Sequence, residues 1–179
     1  GIDPKKTDQL VRGSVALPNG TGKSIKIAVF ADGDKAQEAK DAGADFVGAA
    51  DLAEKIEKGF TDFDMTIASP DMMRFVGKLG KVLGPQGKMP SPKAGTVTPN
   101  VGQAVKEFKA GKIEFRTDAG ANVHAAIGKK SFGEAELSQN LTAFVEHLRT
   151  LRPSQAKGAF IKKVVVSTSM GPGVALAVE

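Results

Sequence analysis

LPNGTGKS (17–24) ends on Gly-Lys-Ser, the close of a phosphate-binding loop, and GPQGKM (84–89) offers a second Gly-Lys pair. Such a loop cradles phosphates on backbone N–H groups and needs a helix N-terminus directly behind it. In the first stretch Leu17 stands where the leading glycine belongs, and GKS runs into IKIAVF, a β-branched strand. A turn is the better reading there. The second lacks both the spacing and the Ser/Thr that would hold magnesium, leaving a contact loop as its reading. His124 falls in an expected strand and His147 on an expected helix, neither with a second ligand three or four residues away, so both read as packed or surface histidines. Asp62 and Asp64 flank Phe63 in what reads as a solvated turn. No Ser or Thr has the glycine frame of a nucleophile elbow. With no cysteine in 179 residues, disulfides and thiolate metal sites are excluded, which fits a reducing cytosol. No cofactor and no catalytic residue is expected.

The charge distribution carries more. The formal net charge is only +5, but from Met72 to Lys106 there is no Asp or Glu, against Arg74, Lys78, Lys81, Lys88, Lys93 and Lys106. Elsewhere 19 bases face 20 acids, so the excess lies in one segment. Its centre, KLGKVLGPQGKMPSPKAG (78–95), packs four glycines, three prolines and four lysines together. Glycine and proline mark backbone outside regular structure, and lysine without carboxylate marks a surface facing a polyanion. The expectation is a mobile basic loop. Single-strand readers stack bases on aromatic rings; this chain has no Tyr and no Trp. RNA recognition would therefore run through backbone, hydroxyl and shape contacts.

The elements that must carry these residues follow from periodicity. With 41% apolar and 25% charged residues the chain is globular in composition, and no apolar run nears membrane-spanning length. Strands are expected over 11–17, 25–31, 44–48 and 64–69, and helices over 33–43, 52–60, 71–83 and 100–111. This alternation implies a parallel sheet with helices on its faces. In the helix 71–83, Met72, Phe75, Val76, Leu79, Val82 and Leu83 make an apolar stripe, with Arg74, Lys78 and Lys81 beside it. From Lys112 the pattern changes: strands over 112–118, 121–128, 160–170 and 174–179, and one long helix over 136–151. The fold class expected is α/β and α+β. A three-layer block over 20–110 is flanked by 1–19 and 111–179, which together suit a second, antiparallel-rich α+β domain.

GKLGKVLGPQGKMPSPKAGTV (77–97) closely resembles the signature of the bacterial ribosomal protein L-one family, the stalk protein of the large subunit. The similarity extends through GIDPKKTDQLVRGSVALPNGTGK, KAGKIEFRTD and VVVSTSMGP, in order along the chain. It implies a Rossmann-like α/β domain inserted into an α+β domain built from both chain ends. It further implies binding to 23S ribosomal RNA at the mobile stalk, contact with deacylated tRNA at the exit site, and repression of translation from the leader of its own messenger RNA. A cytoplasmic, ribosomal location and a monomeric state outside the ribosome go with this. Family members begin some tens of residues earlier, so part of the RNA surface is expected to come from a segment ahead of Gly1. By matched motif the main RNA contacts are Ser167, Thr168, Ser169, Met170 and Gly171. Arg12, Lys157 and Lys162 join them as basic residues of the same domain, with Arg74, Lys78, Lys81, Lys88 and Lys93 as secondary contacts. The competing class is a nucleotide-binding enzyme with a Rossmann-like domain.

Overall fold

The computed structural model describes residues 1–156 and 158–177. The chain is mixed α/β and divides into two compact units, one of residues 23–113 and one of residues 1–22 with 114–179.

The first unit is built around β2 (Ile27–Phe30), all four residues of which are fully buried. A strand covered on both faces must be apolar throughout, and IAVF is. Its alternate side chains divide between two cores. Ile27 and Val29 pack with Ala39, Ile67, Val101, Val105 and Phe108. Ala28 and Phe30 pack with Leu52, Ile56, Phe63, Val76, Leu79 and Leu83 on the other side. β3 (Phe46–Gly48) and β4 (Met65–Ala68) flank β2, both parallel to it, giving the order β3-β2-β4. Val97 adds a parallel bridge to Ala68 at the outer edge of β4. Helices α1 (Asp34–Asp41) and α5 (Val101–Lys109) supply the first core; α2 (Ala50–Glu57), α3 (Met73–Lys78) and α4 (Gly80–Leu83) supply the second. Each fully buried Ile, Leu or Phe contributes about 1.5–3 kcal/mol of transfer free energy, which makes these two layers the main source of the unit's stability.

One expected helix is broken. The stretch 71–83 begins as a 3-10 turn over Pro70–Met72, continues as α3, bends at Leu79 and resumes as α4. Leu79 N–H bonds the Val76 carbonyl at 2.9 Å, three residues back, tightening the turn at the junction. Gly77 and Gly80 on either side weaken a continuous helix there, while Leu79, fully buried, holds the bend against the core. The expectation that 78–95 lies outside regular structure also fails in part. It contains α4 and a second 3-10 turn over Pro92–Ala94.

In the other unit β1 (Arg12–Ala16) lies beside β5 (Lys112–Arg116), of which this unit holds the part from Glu114 on. Thr117 closes the pairing, its Oγ1 accepting from Val11 N–H at 3.1 Å and donating to the Val11 carbonyl at 3.0 Å. Helix α6 (Glu134–Thr150) packs through Phe144, whose ring meets Phe115 edge-on with centroids 5.3 Å apart. β6 (Val164–Val166) and β7 (Val174–Leu176) form an antiparallel hairpin with Val165 opposite Ala175. Two strand expectations are corrected here. Residues 121–128 contain only a bridge from Thr117 to Val123, because the Asp118 carboxylate takes the Gly120 and Asn122 N–H groups at 2.8 and 2.7 Å. A side chain that satisfies local backbone donors in this way competes with a strand ladder. The strand expected over 160–170 shrinks to the three residues that β7 pairs. Of the strand expected over 174–179, Val178 and Glu179 lie outside the described residues.

Candidate nucleic-acid interface

The tip of the β6–β7 hairpin is Ser167 to Gly173, and β6 delivers its first residues. Val164 and Val166 are half-buried; after Val166 the apolar residues stop, and Ser167, Thr168 and Ser169 are all exposed. Their hydroxyls make no hydrogen bond among the described residues. Met170 follows at 98% exposure, the most exposed large apolar side chain described, and its neighbours Val165 and Val174 are 48% and 58% exposed. The turn closes with Gly171 N–H on the Thr168 carbonyl at 3.3 Å. A Cβ at Gly171 would run into Thr168 Oγ1. A side chain at 171 would therefore make the Thr168 side chain shift, whatever approaches the tip from outside. Three free hydroxyls that both donate and accept, a bare thioether and an exposed backbone make a surface suited to ribose 2′-hydroxyls.

In the same unit Arg12 is exposed on β1, and Lys162 is exposed just before β6. Lys157 lies outside the described residues. Glu114 on β5 feels the charges of both Arg12 and Arg116, and no motif in the sequence marks it. Burial pushes its carboxyl above the usual value, while the charges of Arg12 and Arg116 pull it back. His124 stays on the surface, with Nε2 3.2 Å from Asp118, and the His147 ring packs edge-on against Phe115 at 6.0 Å. No cluster of three or more imidazole or carboxylate groups able to hold a metal ion occurs among the described residues.

The Gly-Lys-Ser turn is no phosphate cradle. Lys23 Nζ lies 2.5 Å from Asp64, and the chain passes from Ser24 into β2 with no helix behind the turn. Ahead of it the turn is pinned to α6. Asn140, fully buried, accepts from Asn19 N–H at 3.0 Å and donates to the carbonyls of Gly20 and Ile127, each at 2.8 Å. This residue too was invisible in the sequence, being one polar position inside an amphipathic helix.

The basic segment belongs to the unit of residues 23–113. Arg74, Lys78, Lys81 and Lys93 are exposed, with the Arg74 guanidinium lying over the Phe75 ring at 4.8 Å. Lys88 turns inward instead. Its Nζ donates to the Thr61 carbonyl at 2.9 Å and sits 5.0 Å from the centre of the Phe63 ring. The loop around it is anchored as well. Pro90, Ala94 and Thr96 are buried, and Thr96 Oγ1 accepts from Ser91 N–H at 2.7 Å and donates to the Ser91 carbonyl at 3.1 Å. Its longest run of exposed residues is the four from Gly84 to Gly87. Packing thus replaces the free loop expected from composition, because Met89, Pro90 and Ala94 supply apolar anchors between the glycines.

A hydroxyl-rich hairpin tip in one unit and a row of exposed cations in the other are the two surfaces that a mixed α/β protein of this kind presents. The sequence profile of the Ribosomal protein L1p/L10e family matches residues 1–172. Large ribosomal subunit protein uL1 of Kosmotoga olearia is 56% identical over 176 residues, 98% of this chain and 76% of that protein. Its counterpart in Thermosipho africanus is 59% identical over 174 residues, 97% of this chain and 75% of that protein. The counterpart in Alkalilimnicola ehrlichii is 56% identical over 176 residues, again 98% and 76%. The chain belongs to the ribosomal protein L1p/L10e family. That is a family of structural proteins, and the reading as a nucleotide-binding enzyme falls with it.

Proposed function

We propose that this chain is a structural component of the large ribosomal subunit that grips 23S ribosomal RNA at the mobile stalk through the β6–β7 tip. The ribosome, in the cytoplasm, is its place of work. Ser167, Thr168, Ser169, Met170 and Gly171 make the main contact, with Arg12, Lys157 and Lys162 as neighbouring cations. Contact with exit-site tRNA and repression of its own messenger RNA follow from the same RNA-binding surface. The observation that carries this reading is Met170 at 98% exposure beside three unbonded hydroxyls. A methionine that contacts nothing contributes nothing to its own fold, and it fits its thioether against a ribose or base face.

Binding to a stalk fragment of ribosomal RNA, followed across a salt series, tests the proposal. Counterion release makes affinity fall steeply with salt, and ATP or NAD should not compete. A flat salt response, or competition by nucleotide, would count against it. Replacing Lys78, Lys81 and Lys93 with Gln should lower affinity modestly and reduce the salt slope. Discrimination between cognate and unrelated RNA should survive, since phosphate contacts position without specifying. Lys88→Gln should behave differently. It removes a hydrogen bond and a cation–ring contact inside the fold, so its effect should be a loss of stability of about 1 kcal/mol with little change in affinity.

The unit of residues 23–113 serves as an inserted, Rossmann-like domain of its own. It has two apolar layers about a parallel sheet, so residues 23–113, excised, should unfold in one cooperative thermal transition. A broad, non-cooperative melt of that fragment would show that it leans on the rest of the chain.

A further inference from the structure

Methionine carries the only sulfur in this chain, which has five methionines and no cysteine. Four of the five are seated in the unit of residues 23–113. Met72 is buried in the core that holds Phe30 and Leu79, and Met73 and Met89 pack against the same core. Met65 packs against the core on the other side of β2. Met170 alone stands clear, 98% exposed at the tip of the β6–β7 hairpin.

We propose that Met170 is a site of reversible oxidation by peroxide, and that its sulfoxide releases RNA from the tip. The second half rests on the proposed contact between this tip and RNA. In the forward step a sulfur lone pair attacks one peroxide oxygen. The S–O bond forms as the O–O bond breaks, and the departing hydroxide takes up the proton of the transferred oxygen to leave as water. The thioether loses two electrons and the peroxide gains them. No side chain of the protein has to assist, so access to the sulfur decides which methionine reacts. The return step needs access too. A methionine sulfoxide reductase takes two electrons from a pair of thiols, which close to a disulfide while the oxygen leaves as water. A bare side chain on a hairpin tip admits such an enzyme, and a methionine packed against a core does not.

The effect on binding follows from polarity. Oxidation turns a flexible apolar side chain into a polar, chiral one, and its oxygen only accepts hydrogen bonds. Against a ribose or base face the apolar contact of the thioether is lost. The new oxygen also stands among phosphate oxygens that are acceptors themselves. The fold does not share this cost, because a side chain at 98% exposure has almost no contact within the protein to lose.

The whole chain, treated with limiting hydrogen peroxide and mapped by peptide mass spectrometry, tests the proposal. Met170 should be oxidised about tenfold faster than Met65, Met72, Met73 and Met89. The protein oxidised at Met170 should bind a stalk fragment of ribosomal RNA about fivefold more weakly, keep its thermal midpoint, and regain its affinity after treatment with methionine sulfoxide reductases. Met170→Leu, whatever its own affinity, should no longer respond to peroxide, whereas Met65→Leu should respond as the native chain does. Equal oxidation of all five methionines, or the same loss of affinity in peroxide-treated Met170→Leu, would overturn the proposal. Met170→Ala keeps its failure distinct from failure of the RNA contact. If Met170→Ala binds weakly while the sulfoxide binds fully, the contact stands and the oxidation proposal falls. If Met170→Ala binds as well as the native chain, both fall.

Discussion

Replacing Ser167, Thr168, Ser169 and Met170 together with alanine should weaken binding to a stalk fragment of ribosomal RNA about a hundredfold, or ~3 kcal/mol, at a typical 0.5–1.5 kcal/mol per hydrogen bond. The thermal midpoint of the free protein should barely move, because none of these side chains bonds to the rest of the fold. That separation of affinity from stability is the informative result. A variant that folds normally and keeps full affinity would relocate the main contact. Gly171→Val should cost on the order of 2 kcal/mol or more, but part of that loss arises within the tip, where the new side chain meets Thr168 Oγ1. Thr168→Ala relieves that clash. The pair Gly171→Ala and Thr168→Ala, compared with Thr168→Ala alone, therefore reads out whether a Cβ at residue 171 also meets RNA.

Asn140→Leu should destabilise the chain by about 3 kcal/mol, since a buried polar group left without its partner costs about 1–3 kcal/mol. Three backbone groups lose their partner at once: Asn19 N–H and the carbonyls of Gly20 and Ile127. Leucine matches asparagine in length and leaves no void to explain the loss. Asn140→Asp keeps an acceptor for Asn19 and removes both donated bonds, so it should also destabilise strongly. Urea midpoints at constant slope would measure both. A shift of only a few tenths of a kcal/mol in Asn140→Leu would mean that water replaces the side chain at these three groups.

The central sheet was legible because its physics is local. IAVF has to be covered on both faces, and the helix-length amphipathic segments on either side of it are what covers it. The hydroxyl-rich end of β6 was legible through its family resemblance, and its position after VVV agrees with a strand that ends there. Less came through where the outcome hangs on a distant partner. The apolar spacing of 71–83 is equally good for an unbroken helix, and only the fit of Leu79 and Leu83 against the far core, between two glycines, selects the bend. Residues 121–128 have the alternation of a strand, and one carboxylate, Asp118, takes the Asn122 N–H near its start and the Gly120 N–H just before it.

Residue types by themselves determined the alternation of strands and helices, the exclusion of thiolate and disulfide chemistry, and the confinement of the cationic excess to 72–106. These are sums and periods along the chain, and no partner distant in sequence can change them. Tertiary structure alone decided which cations are available, turning Lys88 onto Thr61 and Phe63 and leaving Lys78, Lys81 and Lys93 outside. It made Asn140 the pin of a turn 120 residues away. It also left Met170 bare while seating Met65, Met72, Met73 and Met89 against the two cores. Each of these depends on where a side chain ends in space, which follows from packing between segments far apart in sequence and from no spacing within any one of them.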